Sequence, residues 1–317
     1  MSKLSVLIPA YNAEKHIARC LDSVIGQTFP DIEIIIVNDG STDGTASIID
    51  EYASRDSRIR VVNHPENCGV MWARKTSVES SEGDYLMFLD SDDRLKPDAC
   101  ERLYSAALDN QADLVICGYE IIKNGGKVAG YPNKLDYGSS SQGVIKAMLL
   151  DELRRYLWAK LYSRDLFLSH PVKYFRHHNL MEDEAISFQV SRHVTKAVLI
   201  PEALYEYHEN MSSLTHRYPP SSIQCALRSQ AVLRDISSDW DEELKRSAET
   251  FIIRKVNFLI KVNGGRDRGR IMNSVKDNGF GALFSFSSLV SHLGLRKGVN
   301  YFLLTHFTVI SRIVYGH

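Results

Sequence analysis

The stretch MFLDSDDRLKP, residues 87–97, opens as an apolar run and ends in three acids within four positions, Asp90, Asp92 and Asp93. A short apolar run bounded by polar residues is how a strand buried on both faces reads. Working outward, LSVLIP (4–9), IEIIIVND (32–39), IRVVNH (59–64), DYLMFLD (84–90) and DLVICGYEII (113–122) share that character, and segments of helical period lie between them. In AEKHIARCLDSVIGQT, Ile17, Leu21, Val24 and Ile25 fall on one helical face behind Asn12, which is placed to cap the helix. Ile49, Tyr52 and Ala53 group in the same way in the next helical segment, and Val70, Ala73 and Ser77 in the one after. Strands and helices alternating in this order predict a doubly wound α/β domain with a mostly parallel sheet flanked by helices. NGGKVAGYPNKLDYGSSSQG (124–143) is rich in Gly and Ser and reads as a loop. Beyond about residue 216 the strand signals stop, so the expected layout is one α/β domain over 1–216 and a helical region over 217–317.

Hydrophobic residues make up 44% of the 317 and charged residues 24%, ordinary values for a globular chain. A net charge of −1 supplies no field that steers nucleic acid, and no nucleic-acid partner is expected. Cys20, Cys68, Cys100, Cys117 and Cys225 are odd in number, scattered and never form a CxxC pair, a pattern of reduced thiols in the cytoplasm. The N-terminus enters a strand without an apolar signal core, and no run is long enough to span a bilayer.

In open α/β sheets, ligands bind beyond the carboxyl ends of the strands. The polar residues gather there: Ala10, Tyr11 and Asn12 after the first strand, Asn38 and Asp39 after the second, and Asp90, Ser91, Asp92 and Asp93 after the fourth. Each cluster has a bland reading, since Asn-Asp-Gly is turn material and Asn12 serves as a cap, but three arriving at one edge is harder to assign to turns alone. The first strand is followed by no GxGxxG and the chain contains no P-loop. Phosphates beside these aspartates are repelled unless a divalent cation, magnesium or manganese, lies between them. A diphosphate held through a metal is the ligand class this edge suits.

LIPAYN, VNDGSTDGT, NCGVMWARK, FLDSDD, WAKLYSR (158–164) and MEDEAISF (181–188) resemble, in order, the motifs of bacterial family 2 glycosyltransferases of the GT-A fold, over roughly residues 1–215. The resemblance implies a nucleotide-diphosphate sugar donor, read here as a UDP-sugar, with Pro9, Ala10, Tyr11 and Asn12 bordering base and ribose. It implies that Asp39 accepts a uracil imide N–H, that Asn67, Gly69 and Arg74 line the diphosphate, and that Asp90, Ser91 and Asp92 form the DxD signature. The family often has Asn after that Arg, where this chain has Lys75. Asp92 is then the direct metal ligand, and Asp90 lies nearer the ribose or reaches the metal through water. Asp93 is either a partner behind these residues or the cap of the helix begun by KPDACERL, the cap being preferred. Asp183 is the implied base that deprotonates an acceptor hydroxyl, giving inversion without a covalent nucleophile. Glu182, Asp183 and Glu184 also read as solvated acids favoured by a helix N-terminus. Trp158 and Lys160 match a segment supporting the acceptor, although a lone Trp is more often core. His208 falls where relatives carry a basic residue, commonly Arg, and is assigned with Asp92 to the metal; Ser212 and Ser213 match a region close to the phosphates.

Residues 301–316, YFLLTHFTVISRIVYG, are apolar but interrupted by His306 and Arg312. Such a helix lies in a bilayer interface or packs on a domain or across a homodimer. Interfacial binding suits a glycan or polyprenyl-linked acceptor and a place in the cytoplasm at the inner membrane face. Two other classes remain open: an inactive glycan-binding scaffold, and a haloacid-dehalogenase-like phosphatase, whose hhhDxDx[TV] motif FLDSDDRL matches except for Arg94.

Overall fold

The computed structural model describes residues 3–123, 126–131, 133–209, 220–262 and 268–306. The chain divides into two compact units, residues 1–179 with 186–213, and residues 180–185 with 214–317.

In the first unit, β1 (Leu4–Ala10), β2 (Ile32–Asn38), β3 (Ile59–Asn63) and β4 (Tyr85–Phe88) run parallel in the order β3-β2-β1-β4. All of β1 is buried, and in β2 only Glu33 is partly exposed, so both strands read as unbroken apolar runs. The crossovers are α1 (Ile17–Ile25), α2 (Thr45–Arg55) and α3 (Val70–Ser80). Ile17, Leu21 and Val24 of α1 pack into the core that holds Leu4, Val6 and Ile8, which is why their helical spacing was legible. The chain winds from β1 outward to β3, then returns to the other side of β1 for β4. This reversal of strand order is where doubly wound sheets bind ligands.

β5 (Arg94–Leu95), β6 (Leu114–Lys123), β7 (Gly126–Tyr131), β8 (Lys160–Ser163) and β9 (Ala197–His208) extend the order to β3-β2-β1-β4-β8-β6-β9-β5, with β7 paired to β6. β8 is antiparallel to β4 and β6, β9 parallel to β6, and β5 antiparallel to β9. The sheet is therefore mixed but mostly parallel by length of ladder. α4 (Ala99–Asn110), α5 (Ser141–Leu149), α6 (Asp165–Leu168) and α7 (Glu182–Ser191) are the remaining helices of this part of the chain.

Two expectations need correction. The Gly/Ser-rich stretch 124–143 contains β7 and the start of α5, because pairing with β6 overrides weak local propensity. β9 carries Pro201, which obscures it as a strand. The β6–β9 register slips between Ile116↔Leu199 and Gly118↔Ala203, and that irregularity accommodates a residue that lacks an N–H.

The second unit is helical among its described residues, with α8 (Pro220–Ile236), α9 (Glu242–Val262), α10 (Arg268–Asp277), α11 (Phe286–Leu293) and α12 (Leu295–His306). α9 buries Leu244, Ala248, Phe251, Ile252, Val256, Leu259 and Ile260, a stripe at spacings of three and four. No described helix is long and apolar enough to cross a membrane. Residues 307–317, most of the apolar C-terminal stretch, lie outside the described residues.

Candidate functional site

Parallel register sets three strand ends abreast, with Ala10 opposite Asn38 and Asn38 opposite Asn63. The ladder continues one residue further, Asp39 N–H donating to the Ala10 carbonyl at 2.8 Å and His64 N–H to the Asn38 carbonyl at 2.9 Å. Pro9 and Ala10 are buried, while the Tyr11 ring is 48% exposed. Asn12 is not the cap of α1. Its φ is 49°, and α1 starts after His16. The Asn12 Oδ1 accepts the Thr42 N–H at 2.8 Å and its own N–H reaches Ser41 Oγ at 3.1 Å, so it clasps the loop after β1 to the loop after β2.

Asp39 is almost fully buried. Its Oδ1 accepts from Cys68 N–H at 2.9 Å and its Oδ2 from Gly69 N–H at 2.9 Å, while His64 Nδ1 lies 2.6 Å from Oδ1. The Asn67–Gly69 loop is thereby tied to the end of β2. Gly69 has φ 93°, and a Cβ there would fall 2.7 Å from Asn179 Oδ1 and 2.9 Å from His177 Cα. The same Asn179 Oδ1 accepts Val70 N–H at 3.1 Å, capping α3 from a distant part of the chain. Gly69→Ala is expected to cost about 1–3 kcal/mol through backbone strain and to loosen this loop; denaturant unfolding alongside nucleotide titration checks both.

Arg74, buried on α3, donates through Nη2 to Asp90 Oδ1 at 2.9 Å. Arg74 and Asp90 therefore meet at one corner as an ion pair, the aspartate half-buried and the arginine enclosed. Lys75 turns outward to pair with Glu79 at 2.7 Å and to sit over the Trp72 ring. Ser91 and Asp92 are half-buried in the turn after β4.

Asp93 is fully buried and does not cap α4, whose N-cap is Asp98. It accepts Tyr205 O–H at 2.6 Å and His208 N–H at 2.8 Å, bracketing the acidic turn to the end of β9. Tyr205 also accepts Asp90 N–H at 3.3 Å. Burial, followed by the charges of Asp92 and Asp90, pushes the Asp93 carboxyl well above the usual range. Tyr205→Phe leaves that buried carboxyl with one donor fewer and is expected to lower stability by about 1–3 kcal/mol, measurable as a shift in denaturant midpoint.

Arg94 pairs with Glu206 across β5 and β9, and the His208 N–H donating to Asp93 brings the end of β9 beside the acidic turn. Arg19 donates to the Asp92 carbonyl and is close enough to His208 to act on its charge. Burial first, then Arg19, lowers the His208 pKa, which favours the neutral ring that ligates metals. Its Nε2 is buried without a hydrogen bond, 3.5 Å from Glu206. A half-buried carboxylate, Asp92, and a neutral imidazole, His208, are donor types that suit a divalent cation completed by phosphate oxygens. Among the described residues only Asp39, His64 and Cys68 gather three possible ligand atoms within 4.8 Å. The Asp39 oxygens there already take three hydrogen-bond donors, which leaves about one acceptor direction.

Asp183 is half-buried in the first turn of α7, grouped with the second unit. That turn is anchored on both sides of it. Ser229 Oγ donates to the Met181 carbonyl at 2.8 Å, and Glu184 receives Gln230 Nε2 at 2.9 Å and Lys255 Nζ at 2.6 Å. Glu184 is thus a structural acid and not a solvated one. Trp158 and Lys160 are both core: Trp158 stacks with Tyr156, Tyr205 and Tyr207, and the Lys160 ammonium binds the carbonyls of Arg154 and Tyr156. Ser212 and Ser213 lie outside the described residues.

Sequence reading missed His64, Arg19, Tyr205 and Asn179. Only His64 carried a signal, as the last residue of IRVVNH at a strand end. The others are brought in by partners too far along the chain to leave a local pattern.

Comparison with known proteins matches residues 5–178 to the profile described as Glycosyl transferase family 2. The putative glycosyltransferase EpsH of Bacillus subtilis is 33% identical over 258 residues, covering 79% of this chain and 74% of EpsH. The putative teichuronic acid biosynthesis glycosyltransferase TuaG of the same organism is 36% identical over 146 residues, 45% of this chain and 58% of TuaG. Among solved structures, S. aureus TarS 1–349 in complex with UDP-GlcNAc superposes with TM-score 0.71 over 97% of this chain and 91% of that one, at 17% identity, a likeness of fold.

Proposed function

This chain belongs to glycosyl transferase family 2, and from that premise we propose that it moves a sugar from a UDP-sugar to a hydroxyl of a glycan or polyprenyl-linked acceptor, inverting the anomeric centre, in cell-surface polysaccharide synthesis. The observation that carries the reading is that Asp39 follows the carboxyl end of β2 and Asp90 and Asp92 that of β4, on either side of β1 where strand order reverses, with Arg74 paired to Asp90. The UDP complex of a protein of similar fold and the name of the teichuronic acid relative support the donor and the product class.

In this reading Asp39 accepts the imide N–H of the base, and Pro9, Ala10, Tyr11 and Asn12 border base and ribose. Asn67, Gly69 and Arg74 line the diphosphate, with Asp90 and Ser91 toward the ribose. Asp92 and His208 would hold magnesium or manganese, whose positive charge would stabilise the departing diphosphate. Arg74 adds a fixed positive charge at the same corner, held in aim by Asp90. Asp183 takes the proton of the acceptor hydroxyl as the new glycosidic bond forms, so the displacement is single and inverting. The work is done in the cytoplasm at the inner membrane face. Leu295, 67% exposed beside the exposed Arg296 and Lys297, supports that placement.

Calorimetric titration with UDP, dTDP, GDP and CDP plus manganese, followed by incubation with UDP-sugars, tests the proposal. Metal-dependent UDP binding with slow UDP release is the expected result. Release of inorganic phosphate, or neither binding nor hydrolysis, overturns it in favour of a phosphatase or a scaffold.

A further inference from the structure

An ionised carboxylate offers about four acceptor directions, two on each oxygen. On Asp39, Oδ1 takes two donors, the His64 ring and Cys68 N–H, and Oδ2 takes one, Gly69 N–H. One direction is left, and it belongs to Oδ2. The His64 ring is held at both ends, with Nδ1 2.6 Å from Asp39 Oδ1 and Nε2 2.9 Å from Thr76 Oγ1. Because a carboxylate only accepts, Nδ1 carries the hydrogen, and Nε2 is paired with the Thr76 hydroxyl. Thr76 stands on α3 and His64 at the end of β3, so the chain of bonds joins helix, strand and carboxylate.

Resting on the assignment of Asp39 to the nucleobase, we propose that His64, braced by Thr76, is a positioning residue that fixes the Asp39 carboxylate with its last acceptor direction toward a base N–H, selecting uracil-type bases against cytosine. Uracil and thymine present an imide N–H to that oxygen. Cytosine presents a ring nitrogen with a lone pair at the same edge, so two acceptors face each other and neither is satisfied. Without the histidine, Oδ1 loses its closest donor and the carboxylate is held by the Cys68 and Gly69 N–H groups alone, which loosens its aim. His64 touches neither the sugar nor the diphosphate in this arrangement, so its removal acts on affinity and base choice and not on bond making.

Two substitutions separate positioning from bulk support. His64→Asn keeps an N–H near the position of Nδ1 and gives up Thr76; His64→Gln extends toward Thr76 and gives up the donor to Asp39. His64→Gln and His64→Ala are expected to weaken UDP binding by ~10-fold and to narrow the UDP-over-CDP preference by a similar factor, with His64→Asn within ~3-fold of wild type. Donor KM should rise in parallel while kcat at saturating donor changes less than ~2-fold. Equal UDP affinity in the Asn and Gln variants, an unchanged UDP-over-CDP ratio, or a fall in kcat with KM unaltered overturns the proposal. If the Ala variant fails to fold, the Asn and Gln pair, both polar and of intermediate size, still decides. Asp39→Ala measured in parallel separates the layers. Should it bind UDP like wild type, the base assignment falls and this inference with it; should it bind weakly while every His64 variant binds normally, only the role of His64 falls.

Discussion

Asp92→Ala is expected to reduce turnover of a UDP-sugar by ~10³-fold and to abolish the part of UDP affinity that depends on manganese. The turn has anchors that do not depend on the Asp92 carboxylate. The turn is fastened by the buried Asp93 carboxyl to Tyr205 and His208, and by Arg19 to the backbone carbonyl of Asp92, and both survive the substitution. Calorimetry on wild type and variant, each with manganese and after chelation, gives four affinities. Chelated wild type and both variant samples should coincide. If chelated wild type binds UDP as tightly as the manganese-loaded protein, the metal has no part in holding the diphosphate and the assignment of Asp92 fails.

Asp183→Asn should lower kcat by ~10²–10⁴-fold while donor affinity stays within about twofold. An amide of the same shape keeps hydrogen-bonding capacity but cannot take the acceptor proton. The first turn of α7 holds three acids, and the structure sorts them. Glu184 is locked to Lys255 and Gln230, and its loss would be felt as instability before it was felt as chemistry. Glu182→Gln is the control on the same turn, expected to change kcat by less than ~3-fold if Asp183 alone takes the proton. Transfer at the wild-type rate by the Asp183→Asn protein would remove Asp183 from the mechanism. A rise in donor KM without loss of kcat would place it in binding instead.

Within the acidic stretch, Asp90 and Asp93 illustrate the limits of local reading. Both stand in a run whose spacing suggests metal and capping chemistry, and both acquire their actual partners from elsewhere. Asp90 meets an arginine 16 positions away, and Asp93 meets a tyrosine 112 positions away. Asn12 is a similar case, since its local sequence suits a helix cap but the loop 30 residues on offers a better bond. A side chain that binds across such intervals leaves no periodicity behind. β9 went unread for a related reason, because a proline in its middle is tolerated only where the pairing to β6 slips.

The apolar runs, their helical spacers and the polar residues at the strand ends determined, without coordinates, the α/β class, the order of the motifs and the edge on which the polar residues gather. Those features are set by burial along a few consecutive residues, and burial writes itself into composition. Tertiary structure alone decided which acids face outward and which are brackets, and that His64 and Thr76 stand behind Asp39. Those outcomes depend on where strands and helices from separate parts of the chain bring donors within 3 Å of an acceptor, and a hydrogen bond formed by folding has no precursor in the neighbouring sequence.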